Sequence, residues 1–163
     1  WHTLSLHDAL PISHQNDDRA RELTDKGRTE SRATAMALRT LESEPELILT
    51  SPYPRARQTA EELSVILGDV PVEEVEFLAP TRNLRGLCER VRGLVGERAK
   101  RVACVGHAPS LDEMVAQLIG GDDDLGLHIN KAGAACVRVE AEGQVRLHWL
   151  MRRKHLALLA RLA

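Results

Sequence analysis

"ELILTSPYPRARQTAEELSVILG", residues 46–68, holds a strand, a turn and a helix in one continuous stretch. "ELILT" (46–50) is a short apolar run of the kind that forms a buried strand. Prolines at 52 and 54 break it. Beyond them Ala56, Ala60, Leu63, Ile66 and Leu67 recur at helical spacing, and Gly68 ends the helix. "RVACVG" (101–106) repeats the pattern as a second buried strand. It runs through "HAPS" into a helix marked by Leu111, Met114, Val115, Leu118 and Ile119 and closed by Gly120 and Gly121. Strands that alternate with helices predict a largely parallel sheet.

The flanking stretches extend that plan. Thr24 is placed to cap a helix over 25–41, with Ala33, Met36, Ala37 and Leu41 on one face. "VEEVEFLAP" (72–80) reads as a weaker strand closed by Pro80, and Leu84, Leu87, Val91, Leu94 and Val95 mark a third helix. "AACVRVEAEGQVRLHWLM" (134–151) reads as a hairpin in which Val145, Leu147, Trp149 and Met151 alternate across the second strand. A short helix ends the chain. The expectation is a three-layer α/β sandwich: a mostly parallel sheet, helices on both faces, and a C-terminal antiparallel hairpin.

The 163 residues suit one domain, and 43% hydrophobic with 28% charged residues is a globular balance. A net charge of −2 and 2% aromatic residues give no case for nucleic acid or an anionic membrane as partner. No apolar run approaches the ~20 residues of a membrane span, and the first residues lack the basic-then-apolar pattern of a leader. Cys88, Cys104 and Cys136 form no C-x-x-C pair and read as buried free thiols of a reduced compartment, the cytoplasm. "GGDDDLG" (120–126) lacks the ligand spacing of a calcium loop and reads as a solvated acidic turn.

Ligands of such sheets sit beyond the carboxyl ends of the strands, where two loops are expected. One carries Arg55 and Arg57 at the opening of a helix, a place where cations oppose the macrodipole. A guanidinium offers the forked donors that a phosphoryl group needs. The other loop carries His107. Each has an ordinary alternative, a surface arginine or a buried hydrogen-bonded histidine. Converging at one edge they would suit a phosphate site, and on the residues alone that reading and the ordinary one both stand open.

"LTDKGR" (23–28), "TSPYPRARQTAEE" (50–62) and "VACVGHAPSL" (102–111), in that order, resemble the histidine phosphatase superfamily (phosphoglycerate mutase-like). The compact length, "INKAGAACVRVE" (129–140) and "GQVRLHWLM" (143–151) are similar to the small SixA-type phosphohistidine phosphatases, over roughly residues 15–155. The resemblance implies a histidine nucleophile that is transiently phosphorylated and then released by water. It makes Arg55 a phosphate clamp and His107 a second histidine on the phosphoryl oxygens, with Arg57 at a variable, peripheral position. It implies no metal and no cofactor. It implies as substrate a phosphohistidine-bearing signalling protein or a small phosphorylated molecule.

The pattern breaks at the nucleophile. The family's Arg-His motif should end the first strand, but the chain begins "WHTLSLHDALPISHQNDD". His7, following "TLSL", holds the matching position, while Leu6 replaces the arginine and Asp8 a small residue. His14 lies too close to the Leu-Thr motif. "SLHDALPIS" (5–13) resembles translated sequencing-adapter sequence. Residues 1–13 are therefore read as a non-native segment in place of the first strand, and 14–163 as the phosphatase-like domain. The expected activity of this chain is correspondingly low. Where many relatives carry an acid before "LxP" stands Phe77, and nearby Glu74 and Glu76 read as solvent-facing. Lys131 reads as an exposed loop lysine; His2, His128, His148 and His155 read as surface or structural. The alternatives are a small-molecule phosphomonoesterase and a non-catalytic phosphate-binding module.

Overall fold

The computed structural model describes the backbone of residues 2–7 and residues 18–80, 84–94, 99–120, 125–140 and 144–163. In chain order the elements are β1 (His2–His7), α1 (Asp25–Thr40), β2 (Leu47–Thr50), α2 (Pro54–Ile66), β3 (Val72–Glu74), α3 (Leu84–Leu94), β4 (Arg101–Gly106), α4 (Ser110–Leu118), β5 (Ala134–Val139), β6 (Val145–Met151) and α5 (Arg153–Leu159). Val95, Gly121 and the acids at 122–124 lie outside the described residues.

The strands form one six-stranded sheet in the order β3-β2-β4-β1-β5-β6. β3, β2, β4 and β1 are parallel neighbours; β5 is antiparallel to β1, and β6 to β5. Period-two alternation splits each apolar run between two cores. Leu47, Leu49, Val102 and Cys104 meet α3 and α4. Ile48, Ala103 and Val105 meet α1, α2 and α5. This is the three-layer sandwich with a terminal hairpin that the alternation predicts.

Three local readings need correction. In α1 the buried residues are Gly27, Ser31, Thr34, Ala35, Ala37 and Leu38, while Met36 is 37% exposed. The helix is turned from the expected face because its small alanines leave the phase to Leu38. β3 is only three residues long. Val75 donates its N–H to the Thr50 carbonyl at 2.9 Å, and a 3-10 turn, Glu76–Leu78, then folds Leu78 into the core. In β6 the register passes from Cys136–Trp149 to Val137–Leu147, a bulge at His148. Beyond it Trp149 and Met151 pack on the α1/α2/α5 side, whereas Val145 packs on the other. The predicted single alternating face does not exist.

Cys88, Cys104 and Cys136 are free and buried. Burial pushes the Cys104 thiol up to about 12 and the Cys136 thiol up to about 11. No described helix is long and apolar enough to cross a membrane.

Candidate active site

Two strand-to-helix corners meet at the carboxyl edge of the sheet. Thr50 is level with Val105 across β2 and β4, and the Ser51 N–H continues the ladder onto the Val105 carbonyl at 2.9 Å. Pro54 opens α2 and sets Arg55 in its first turn. From β4 the chain leaves through Gly106 and His107 and a cis Ala108–Pro109 bond into α4. A Cβ on Gly106 would lie 3.3 Å from the Leu78 carbonyl oxygen, so the folded-in 3-10 turn leaves little room for a side chain there.

Arg55 and His107 come together. Arg55 Nη2 lies 3.0 Å from His107 Nδ1, and both residues are buried, at 6% and 3% exposed. His107 Nε2 lies 2.7 Å from Ser51 Oγ. A guanidinium only donates, so Nδ1 accepts and the ring proton sits on Nε2, donating to Ser51. Ser51 Oγ also accepts the Tyr53 N–H at 3.3 Å. The Tyr53 ring stands 4.9 Å from the His107 ring, and the Arg55 guanidinium lies 5.5 Å from the Tyr53 ring centre. A forked cation and an imidazole thus share one buried corner.

β1 runs between β4 and β5, with Leu6 paired to Val105 and Ala134, and His7 paired to Gly106. The His7 backbone therefore ends its strand at the same edge, one residue in register from His107. Asp8 and His14 lie outside the described residues.

The other named residues take different places. Arg57 is exposed and pairs with Glu74 at 3.3 Å and Glu61 at 3.9 Å. Glu76 is exposed, and Phe77 is half-buried under the Arg90 guanidinium. Ser51 and Tyr53 were not singled out from sequence, although they lie within the quoted loop; an uncharged side chain beside an arginine motif gives no signal of its own. The motif's Gln58 and Glu62 turn out to be joinery. Gln58 Oε1 accepts the Leu23 N–H at 2.7 Å, and Glu62 binds Arg28 at 3.0 Å and Arg32 at 2.6 Å. They tie α2 to the "LTDKGR" segment, where Thr24 caps α1 through the Gly27 N–H. The Arg32 hydrogen bond, with Arg28 assisting, holds the Glu62 carboxyl below its usual range. Among the described residues no group of three or more His, Cys, Asp or Glu could hold a metal.

Residues 13–82 match the histidine phosphatase superfamily (branch 1). An uncharacterised protein of Picosynechococcus sp. (strain PCC 7002) is 35% identical over 123 residues, 75% of this chain and 74% of that one. The chain belongs to the histidine phosphatase superfamily. Phosphohistidine phosphatase SixA of Escherichia coli (strain K12) is 29% identical over 135 residues, covering 82% of this chain and 83% of the relative. A solved structure of the protein histidine phosphatase SixA, complexed with tungstate, matches with a TM-score of 0.85 at 25% identity, over 96% of this chain and 99% of that one. By family the protein is a phosphatase, and its architecture is of the SixA type.

Proposed function

We propose that this domain is built to hydrolyse phosphohistidine on a protein, through an enzyme histidine at the end of β1, and that the chain with its present N-terminus does so poorly. One observation carries the reading: the buried Arg55–His107 pair at the strand edge where the His7 backbone also ends. In the reaction, an enzyme imidazole nitrogen forms a bond to phosphorus while the substrate's P–N bond breaks. The substrate ring, having taken a solvent proton on its other nitrogen, leaves as neutral imidazole. Water then attacks phosphorus, phosphate departs, and the enzyme histidine is freed. Arg55 and His107 hold the phosphoryl oxygens and offset their developing charge. The relative's tungstate, a tetrahedral oxyanion, supports such a pocket.

Phosphohistidine is favoured over a phosphate monoester because Glu74, one of the nearby acids, is exposed and engaged by Arg57. A protonated imidazole leaves without a strong general acid; an alkoxide does not. Arginines supply the charge compensation, so activity is expected to persist in EDTA. Buried free thiols agree with a cytoplasmic setting.

The low activity follows from Leu6 and Asp8. Loss of the arginine removes a charge-assisted donor worth about 1.5–3 kcal/mol, and an acid next to the nucleophile in sequence adds like charge against the substrate dianion. A nucleophile on a foreign segment has no selected in-line geometry, and a misplacement of about 1 Å costs a further ~10². The family match leaves out residues 1–12, which supports a foreign origin for nearly all of the 1–13 segment; the genomic DNA upstream of codon 14 would test it. Leu6 also favours a second reading, a phosphate-binding module without catalysis.

Single-turnover transfer from a phosphohistidine donor decides between them. We expect the Leu6→Arg/Asp8→Ala variant to exceed the present chain by at least ~10³, and to prefer phosphohistidine to p-nitrophenyl phosphate. A phosphoenzyme formed by the present chain at the repaired rate, and lost in His7→Ala, would overturn the low-activity reading. No phosphoenzyme in the repaired variant would leave the binding module.

A further inference from the structure

A cleft of about 520 Å³ opens on the same edge of the sheet, on the β5–β6 side of β1. Register places it there. Leu6, Ala134 and Met151 stand level across β1, β5 and β6, so the loop before β5 and the residues after β6 both project past the strand ends. Ala108, the neighbour of His107, lines the cleft together with Glu30, Asn130, Lys131, Arg152 and Lys154. It therefore abuts the phosphate corner.

Its chemistry is uneven. Lys131, Arg152 and Lys154 are exposed and have no carboxylate partner among the described residues. Arg153 is bound to Glu30 Oε1. Two buried oxygens of the lining, Glu30 Oε2 and Asn130 Oδ1, have no hydrogen-bond partner among the described residues. Buried acceptors left unmatched are costly, so an occupant of this cleft should bring N–H donors as well as negative charge. A polypeptide with acidic side chains brings both. A phosphodiester strand offers charge without backbone N–H donors.

The wall is held in place before anything binds. Asp112 accepts the Ile129 N–H at 3.2 Å on one oxygen and meets His128 Nδ1 at 2.9 Å on the other. Gly133 donates its N–H to the Asn130 carbonyl at 2.7 Å, closing a tight turn. A pre-formed wall reduces the ordering cost of association.

We propose that this cleft receives an acidic stretch of the substrate protein beside its phosphohistidine. The proposal rests on the phosphatase reading of the neighbouring corner, but its residues and its test are separate. Fluorescence anisotropy on the present chain would compare a glutamate-flanked histidine peptide with its glutamine-flanked twin, with orthovanadate as a probe of the phosphate corner. We expect the glutamate peptide to bind roughly tenfold more tightly at low ionic strength, with the margin shrinking as salt rises. Lys131→Ala/Arg152→Ala/Lys154→Ala should erase that margin and leave vanadate binding unchanged. Arg152→Ala/Lys154→Ala, with a smaller loss in the same direction, serves if the triple variant does not fold. Equal binding of the two peptides, a margin that survives either variant, or an oligothymidylate that displaces the glutamate peptide would overturn the proposal. Vanadate that fails to bind while the peptide margin holds would sink the phosphatase reading and uphold the cleft.

Discussion

Arg55 is buried with its guanidinium on His107, whereas Arg152 and Lys154, across β1 on the same edge, are exposed without acidic partners among the described residues. The first arrangement is already desolvated and held in one geometry against His107, which in the proposed reading suits one small oxyanion. The second keeps its hydration and acts through summed charge, which tolerates variation in what it meets. A buried cation reads chemistry; an exposed set reads composition. The contrast predicts that substitutions on the two sides of β1 separate cleanly in their effects.

The largest separation is expected from Arg55→Met. Loss of the charge-assisted donor, about 1.5–3 kcal/mol, should weaken vanadate binding roughly 10- to 100-fold and leave the glutamate-peptide margin intact. Calorimetric titration with vanadate measures it, and an unchanged affinity would break the comparison at its first term.

Gly133→Ala tests the other side. An added Cβ would lie 2.7 Å from the Asn130 carbonyl oxygen and 3.0 Å from that of Met151, both backbone atoms with little freedom to yield. Denaturant unfolding should show a loss of about 1–3 kcal/mol, the usual cost of overpacking. The peptide margin should fall with it, while vanadate affinity in the folded protein holds. Full stability in this variant would mean that the turn relaxes and the cleft wall is soft.

Ser51→Ala is expected to do less. It leaves His107 Nε2–H without its acceptor and costs about 1 kcal/mol. Imidazole nitrogen shifts, by NMR, should then show the Nε2–H tautomer less strictly populated. Retention of one tautomer would assign the lock to Arg55 alone.

The smallest effect belongs to Glu62, remote from both sites. Its carboxyl is held below the usual 4.5 in the folded state, chiefly by Arg32. The sign follows directly: the stabilisation is complete above the unfolded carboxylate range and fades as pH falls through the lower folded value. Arg32 is mostly solvated, which screens the gain. Glu62→Gln should therefore lower Tm slightly at neutral pH and have no effect in strong acid. A difference that grew on acidification would contradict the assignment.

Sequence made the parallel half of the molecule legible because its strands are short apolar runs ending in turn residues. Residues 101–106 form β4, and 46–50 miss β2 by one residue. Arg55 and His107 could be placed at one edge because both follow such runs. The hairpin was less readable: Val145, Leu147, Trp149 and Met151 share one parity, and no glycine marks the bulge at His148. The phase of α1 was ambiguous because alanines at 33, 35 and 37 fit several faces. The partners of Ser51, Gln58, Glu62 and Asp112 come from distant segments, and local pattern carries no record of them. That Lys131, Arg152 and Lys154 lack a carboxylate partner among the described residues is equally a property of the folded surface.

Beta-strand pairing is made by backbone groups, which are nearly the same for every sequence. In this sheet the central rung, β1, is the segment of the chain's first residues, and it alone joins β4 to β5. Backbone pairing can therefore keep the ladder in the middle of the sheet when the strand there comes from another chain. The fold can thus be treated as a socket for a donated strand. A chain of residues 14–163 should accept a short peptide in trans between β4 and β5, and one ending in Arg-His-Ala would bring the nucleophile with it. Phosphatase activity that rises with peptide concentration and saturates would report that complementation.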